Sequence, residues 1–266
     1  MTTLSTFSAV YGPVLSWRYG RSLGIDPTGP VSTCSFNCVY CQLGEIETIS
    51  RERQVFIPTQ TILQELADLA PWEVDIITLS GSGEPTLALN LEDILQGIKT
   101  LTHKPILVLT NATQLGDPQV RQALSLADKV SVKLDGISED LLRRVNRPTD
   151  GIHLNEVIAG IQQFSQEFPG EFSLQTMLLS PWSAQNQRDY VALVNQLKPR
   201  EIQLNTPTRP KPIKRELSGR GNHFGEKLPV EQLRQLKCVS RQILETLAQE
   251  LQQQTGIPVR YAPSPH

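Results

Sequence analysis

The sequence is sparing with cysteine and histidine, has no long apolar run and carries no large excess of charge. Each shortage closes off a class of protein. Four cysteines in 266 residues are too few for a disulfide-stapled secreted scaffold, and three of the four, Cys34, Cys38 and Cys41, fall in one short stretch. The four histidines, His103, His153, His223 and His266, are scattered and supply no second ligand pair for a structural zinc site. No stretch approaches the roughly 18 consecutive apolar residues of a membrane span. The opening "MTTLSTFSAVYGPVLSWRYG" lacks the Lys/Arg-led start and unbroken apolar core of a signal peptide, so a cytoplasmic protein outside any membrane is expected. A net charge of −2 and a pI near 6.1 exclude a general polycation, so any basic surface must be local. There is no flavin or nicotinamide fingerprint.

What is present is an ordinary enzyme-like balance, 39% hydrophobic and 20% charged, in a chain long enough for a substantial core. Short apolar runs alternate with stretches of period near 3.6. Strands are expected at "SLGID", 74–80, 105–111, 129–135, 171–179 and 201–205. Between them, helices are striped by Ile62, Leu63, Leu66 and Leu69, by Leu91, Ile94, Leu95 and Ile98, by Val157, Ile158, Ile161 and Phe164, and by Tyr190, Val191 and Val194, with a short helix near Pro118–Leu126. A long helix is expected from about Val230 to Gln254, stopped by Gly256, with "IPVRY" as an edge strand. Strand–helix alternation predicts an α/β fold with a parallel sheet, either doubly wound or an incomplete barrel. Polar rows decide for the barrel. Ser131, Lys133 and Asp135 share one strand face, as do Glu171, Ser173 and Gln175, and Gln203 and Asn205, and such rows fit the inside of a barrel that holds a polar ligand. The expected organisation is a barrel core over 1–210 with a basic segment and helical extension, 211–266, packed on it.

The stretch "TCSFNCVYCQLG" carries the chemistry. Three thiolates on one loop suit Zn²⁺, Cu(I) or an iron–sulfur cluster. Cys238 is expected on the far face of the C-terminal helix, away from the others. Three cysteines on a four-iron cluster leave one iron open, and an open position is what a metal needs for chemistry. Cys-x3-Cys-x2-Cys with Tyr40 before the last cysteine resembles the signature of radical S-adenosylmethionine (SAM) enzymes. The resemblance implies a partial (β/α)6 barrel of the TIM type with the cysteine loop after its first strand. It implies a [4Fe–4S] cluster on Cys34, Cys38 and Cys41 whose open iron chelates SAM, reductive cleavage to methionine and a 5′-deoxyadenosyl radical, and hydrogen abstraction from a substrate. It also implies an external one-electron donor such as a flavodoxin or ferredoxin.

Two further stretches extend the resemblance. "SGSGEPTL" follows the second strand, where the family binds the SAM amine, and this implies Glu84 as amine acceptor with Gly81 and Gly83 permitting the turn and close approach. Family positions at later strand ends imply that Asn111, Lys133, Asp135 and Gln175, with Thr176 beside it, contact SAM. Lys133 would meet its carboxylate and Asp135 its ribose; alternatively Lys133 and Asp135 pair with each other.

Within the family, "YGPVLSWRYGRSLGID" and "QLNTPTRP" look most like iron–sulfur oxidoreductases similar to the enzymes that form the wyosine base of tRNA. Those enzymes carry upstream cysteines for a second cluster, and this chain has none before Cys34, so the resemblance stops short of that reaction. It leaves RNA, and with it tRNA modification, as a candidate. The stretch 208–224 holds Arg209, Lys211, Lys214, Arg215 and Arg220 against Glu216 alone, and is expected to lie extended at the site rim and grip phosphates of RNA or another anion, with Arg18 and Arg21 joining from just before the first strand. Two other readings stay open: a non-catalytic electron carrier, which wants a fourth cysteine, and a zinc-stabilised RNA-binding module.

Overall fold

A computed structural model describes residues 7–221 and 228–263; His223, His266 and the end of the basic stretch, 222–224, lie outside it. Eight strands form one curled sheet in which every strand lies beside its neighbour in sequence. They are β1 (Val10–Ser16), β2 (Gly20–Ile25), β3 (Ile76–Leu79), β4 (Ile106–Thr110), β5 (Lys129–Lys133), β6 (Glu171–Met177), β7 (Glu201–Asn205) and β8 (Val259–Tyr261). β1 runs antiparallel to β2, and every later pairing is parallel. The helices α1 (Thr59–Ala67), α2 (Leu91–Thr102), α3 (Pro118–Leu124), α4 (Leu154–Glu167) and α5 (Ala184–Leu197) make the crossovers. The six strands read from sequence are β2–β7, and the expected incomplete barrel is the observed architecture.

The helices form where the apolar stripes lie. Leu91, Ile94, Leu95 and Ile98 of α2 are fully buried against the sheet, as are Ile62 and Leu66 of α1. Side-chain caps fix several starts: Asp117 accepts from Gln119 N, and Ser183 from Asn186 N. Strand faces that pack on helices are apolar, whereas the inward face is polar. Ser173 Oγ donates to Ser131 Oγ at 2.9 Å and Gln175 Nε2 to Gln203 Oε1 at 3.1 Å, so the expected polar rows do line the bore.

Three features depart from expectation. The stretch before β2 is a strand, β1, although it contains Gly12-Pro13; as an edge strand with an irregular register between Tyr11 and Val14 it tolerates a missing donor. The C-terminal helix, α6, spans only Arg241–Thr255. It starts at Ser240, whose hydroxyl accepts from Ile243 N, while Leu233–Arg234 is drawn into an extended ladder with Lys211–Pro212. Cys238 therefore lies before the helix, exposed. Finally, Leu217–Gly221 closes into a short 3₁₀ turn rather than staying extended. Val239, Leu244, Leu247 and Leu251 join the barrel's core cluster, so the C-terminal region packs on the barrel. Among the described residues, no helix is long and apolar enough to cross a membrane.

The sheet does not close by strand pairing, but its edges meet at one end. Arg260 on β8 donates to Trp17 O at 2.7 Å and to Arg18 O at 3.3 Å, and Gln203 donates to Tyr19 Oη at 2.8 Å. The β1–β2 turn thus crosses the end of the bore where strands β3, β5, β6 and β7 begin. Arg18 and Arg21, expected at the rim beside the basic stretch, belong to this hairpin, with Arg18 at the opposite end of the barrel.

Candidate active site

The strands end at the other mouth, and their carboxyl ends carry Asn111 after β4, Lys133 and Asp135 at and after β5, and Gln175 on β6. The cysteine loop, 33–44, lies over this mouth and is held from three sides. Glu84 N donates to Thr33 O at 3.0 Å from the Gly-rich loop. Asn37 N donates to Asn146 O at 3.0 Å, and Val39 N to Val145 O at 2.9 Å, from the turn after β5. On the third side Glu216 N donates to Leu43 O at 2.8 Å. A cavity of about 360 Å³ remains beneath the loop, and Cys34, Cys38, Cys41, Tyr40, Gly81, Gly83, Glu84, Asn111, Lys133, Asp135 and Gln175 all line it. The three cysteines and the residues expected to contact SAM are thus brought to one place.

The three thiols are unbridged and largely shielded. Burial, then the Glu84 carboxylate and Cys38, push the Cys34 thiol well up, and burial followed by Cys38 raises Cys41. Donors point at the sulfurs: Phe36 N at 3.4 Å and Asn111 Nδ2 at 3.5 Å from Cys34 Sγ, Lys133 Nζ at 3.4 Å and Asn146 Nδ2 at 3.5 Å from Cys38 Sγ. Among the described residues, no His, Cys, Asp or Glu trio converges on a single ion-sized point. A four-iron cubane needs no such convergence, because each thiolate takes a different iron, and three soft donors ringed by N–H groups fit that group.

Glu84 is 2% exposed. Thr86 N (3.1 Å), Thr86 Oγ1 (2.7 Å) and Thr110 Oγ1 (2.7 Å) donate to its Oε1, and Asn111 N (2.7 Å) to Oε2. Burial raises its pKa against the opposing pull of these donors. The residue therefore ties the Gly-rich loop to the end of β4, and acceptor capacity toward a ligand remains mainly on Oε2. The two glycines are placed for packing. A Cβ on Gly83 would stand 1.7 Å from Thr33 O, and one on Gly81, whose φ is +146°, 2.3 Å from Asp26 Cγ.

Asp135 accepts from Tyr40 Oη, from Asn146 Nδ2 at 2.6 Å and from Met177 N at 2.9 Å, and Lys133 Nζ stands 3.8 Å away. Of the two roles expected for it, the pairing with Lys133 is present, and three protein donors occupy its carboxylate. Burial works against the Lys133 ammonium, but Cys38 and Asp135 outweigh it and its pKa is raised. The ammonium also sits 4.5 Å from the Tyr40 ring centroid.

The basic stretch departs from its expected role. Lys211, 1% exposed, pairs with Glu45 at 2.9 Å and donates to Cys38 O at 3.2 Å. Arg215 pairs with Glu47, and Arg220 pairs with the buried Asp26 at 2.8 Å while lying over the Phe7 and Tyr11 rings. Three of the five cations thus point inward and strap the cysteine loop to the barrel. Lys214 is exposed, and Arg209 lies near Gln42 at 3.4 Å. Sequence reasoning missed Asn146, which bridges Cys38 and Asp135 from a segment with no periodic signal, and Asp26, which ends the expected strand but whose partner, Arg220, lies far along the chain.

A curled parallel sheet with a three-cysteine loop over its carboxyl mouth defines a radical SAM fold, and the chain belongs to the Radical SAM superfamily, whose family model matches residues 30–191. It is an enzyme of the radical SAM class, and enzymes of this superfamily bind SAM and a [4Fe–4S] cluster. At full length it is similar to UPF0026 protein slr1464 of Synechocystis sp., with 63% identity over 97% of this chain and 98% of the relative. It is also similar to a probable GTP 3′,8-cyclase of Saccharolobus islandicus, with 28% identity over 54% of this chain and 44% of that one. Among solved structures, Streptococcus suis SuiB bound to S-adenosylmethionine shares the fold, with a TM-score of 0.60 and 13% identity over 91% of this chain and 47% of that one.

Proposed function

We propose that Cys34, Cys38 and Cys41 hold the [4Fe–4S] cluster, that SAM occupies the cavity beneath them, and that the enzyme abstracts hydrogen from an anionic substrate. The observation that carries this is the convergence of the three thiols with Glu84, Asn111, Lys133, Asp135 and Gln175 on one cavity. When bound, the cluster supplies the electron that cleaves SAM reductively. The chain's own groups orient the ligand: Lys133 offers its ammonium to a carboxylate, Oε2 of Glu84 accepts from an amine, and Gln175 and Asn111 offer amide groups. The cysteine loop and its strap cover the mouth and keep water from the reacting centre. A one-electron donor such as a flavodoxin or ferredoxin is needed, because the sequence has no redox-cofactor fingerprint of its own.

Support for an anionic substrate comes from the lining. Four cations, Arg18, Lys133, Arg209 and Arg220, share it with two carboxylates, Glu84 and Asp135; Lys133 pairs with Asp135 and Arg220 with Asp26, which leaves Arg18 without an ion pair among the described residues. Likeness to a probable GTP 3′,8-cyclase supports the same reading. An RNA substrate would meet the exposed Lys214 at the rim, since Lys211, Arg215 and Arg220 hold acids of the fold.

The test is anaerobic iron–sulfide reconstitution, then incubation with SAM and dithionite and assay of 5′-deoxyadenosine. Product and about four irons per chain, both lost in Cys38→Ala and both kept in Cys238→Ser, are expected. A reconstituted cluster that never cleaves SAM would move the assignment to an electron carrier, and zinc in place of iron to a structural site.

A further inference from the structure

A guanidinium shielded from water with no acceptor is costly, and proteins pair such groups almost without exception. Arg18 breaks that rule. Its Nε is buried with no hydrogen-bond partner, and its other side-chain nitrogens make no ion pair or hydrogen bond with any described residue. Arg53, Arg215 and Arg220 also bury an unpartnered Nε, but each engages a carboxylate through another nitrogen. The Arg18 head lies over the Trp17 ring, 5.5 Å from its centroid, and the same indole carries Arg260 at 5.5 Å. Arg260 is satisfied by Glu201 at 3.6 Å and by two carbonyls of the hairpin turn. The fold has brought two cations to one ring and neutralised one of them.

Its position gives the orphan a purpose. Arg18 lines the cavity beneath the cysteine loop and also a second cavity of about 610 Å³ at the strand-start end, so it stands where the bore passes from one to the other. Around it the wall offers the hydroxyls and amides of Tyr19, Ser173, Ser131 and Gln203, and toward the strand starts the carboxylates Asp75, Glu171 and Glu201, of which Glu171 is paired with Lys129 and Glu201 with Arg260. A ligand lying along the bore would pass Ser131 and Gln203 and reach, at the floor, a half-buried guanidinium that no described residue engages in a hydrogen bond or ion pair.

We propose that Arg18 binds a carboxylate or phosphate of the substrate at the floor of the bore, leaving the rest of the molecule directed up toward the cysteine loop. The assignment rests on the substrate cavity described above. Guanidinium geometry matches two oxygens of either oxyanion, and the pair would be shielded from solvent, where charge-assisted bonds are strong. The β1–β2 turn is pinned by Arg260 and by the Gln203–Tyr19 bond, so the side chain is presented on a fixed element.

The full-length apo chain, without cluster or SAM, tests this. Calorimetric titration at low ionic strength with pyrophosphate, and separately with malonate, should show binding of at least one; the one that binds tells phosphate from carboxylate. Arg18→Met should weaken that binding by about tenfold or more, as expected for loss of a charge-assisted pair, while Arg188→Met, at an exposed position of α5 outside both cavities, binds as wild type. Arg18→Met should also unfold at a higher temperature than wild type when no anion is present, because an uncompensated buried charge has been removed. Arg18→Gln serves as the second variant should Met disturb the hairpin. Failure of both anions to bind, or equal binding by the Arg18 variants, overturns the proposal, and so does a lowered melting temperature, which would make the guanidinium structural. 5′-Deoxyadenosine formation by the wild-type holoenzyme is scored separately: its absence sinks the SAM assignment and leaves the anion result standing.

Discussion

The hydroxyl of Tyr40 donates to the buried carboxylate of Asp135, joining the residue before Cys41 to the residue that follows β5. That bond locks the cysteine loop to the barrel mouth through a carboxylate also held by Asn146 and Met177. Tyr40→Phe keeps the ring that lies under Lys133 and removes only the hydroxyl. A hydrogen bond to a charged acceptor contributes about 1.5–3 kcal/mol, so Tyr40→Phe should lower unfolding stability by roughly that amount in a denaturant titration. Iron uptake should persist, since all three thiols remain.

The strap gives an asymmetric prediction. Lys211 is buried, whereas the Glu45 side chain is 39% exposed. Glu45→Met strands a buried ammonium, which costs about 3 kcal/mol or more. Lys211→Met removes the buried charge and leaves a carboxylate that water can still reach, so it should cost less. The double variant should be more stable than the sum of the two single losses predicts, with the difference measuring the pair. Equal losses for the two single variants would mean that the segment moves and exposes Lys211.

The barrel was legible from sequence because its strands and helices repeat a pattern that burial enforces: apolar faces against helices, Ser131, Ser173 and Gln203 turned to the bore. The cysteines, Glu84 and the strand-end residues came from the resemblance to radical SAM enzymes, and all of them line one cavity. What stayed hidden depends on contacts between distant segments. The inward turn of Lys211, Arg215 and Arg220 is set by Glu45, Glu47 and Asp26, and a run of cations looks the same in sequence whether it faces solvent or a buried acid. Likewise the apolar spacing of 230–240 continues that of α6, yet Ser240 caps the helix and Leu233–Arg234 pairs with Lys211–Pro212. Arg18 reaches the cavity from its floor rather than its rim, and that placement was hidden because β1, carrying Gly12-Pro13, does not read as a strand.

Gly83 separates packing from chemistry. Its Cα faces the backbone of Thr33, one residue before Cys34, and the adjacent Glu84 N donates to that same carbonyl. A methyl group there cannot be relieved by a side-chain rotation, so Gly83→Ala must push the two loops apart. The variant should fold, with loss of several kcal/mol by analogy with overpacked sites, typically about 1–3 kcal/mol or more, and it should take up less iron than wild type under identical reconstitution. Full iron loading would mean that the cysteine loop tolerates the displacement.

Glu84 is the residue for which the structural and the ligand-binding roles predict different measurements. Four donors, from Thr86, Thr110 and Asn111, converge on a carboxylate that is 2% exposed. In Glu84→Gln one oxygen becomes an NH₂ group, which must face either the donors on Oε1 or the Asn111 amide on Oε2, so a buried donor loses its acceptor whichever way the amide turns. Each such loss costs about 1–3 kcal/mol. If Glu84 only received the SAM amine, the apo protein would melt like wild type and SAM affinity alone would fall. The observed bonding predicts that Glu84→Gln destabilises the apo protein by that margin and weakens SAM binding as well. A second substitution separates the two: Thr86→Val removes the hydroxyl that donates to Oε1 and should recover part of the stability of Glu84→Gln without restoring SAM affinity, because a neutral amide still replaces the charged carboxylate.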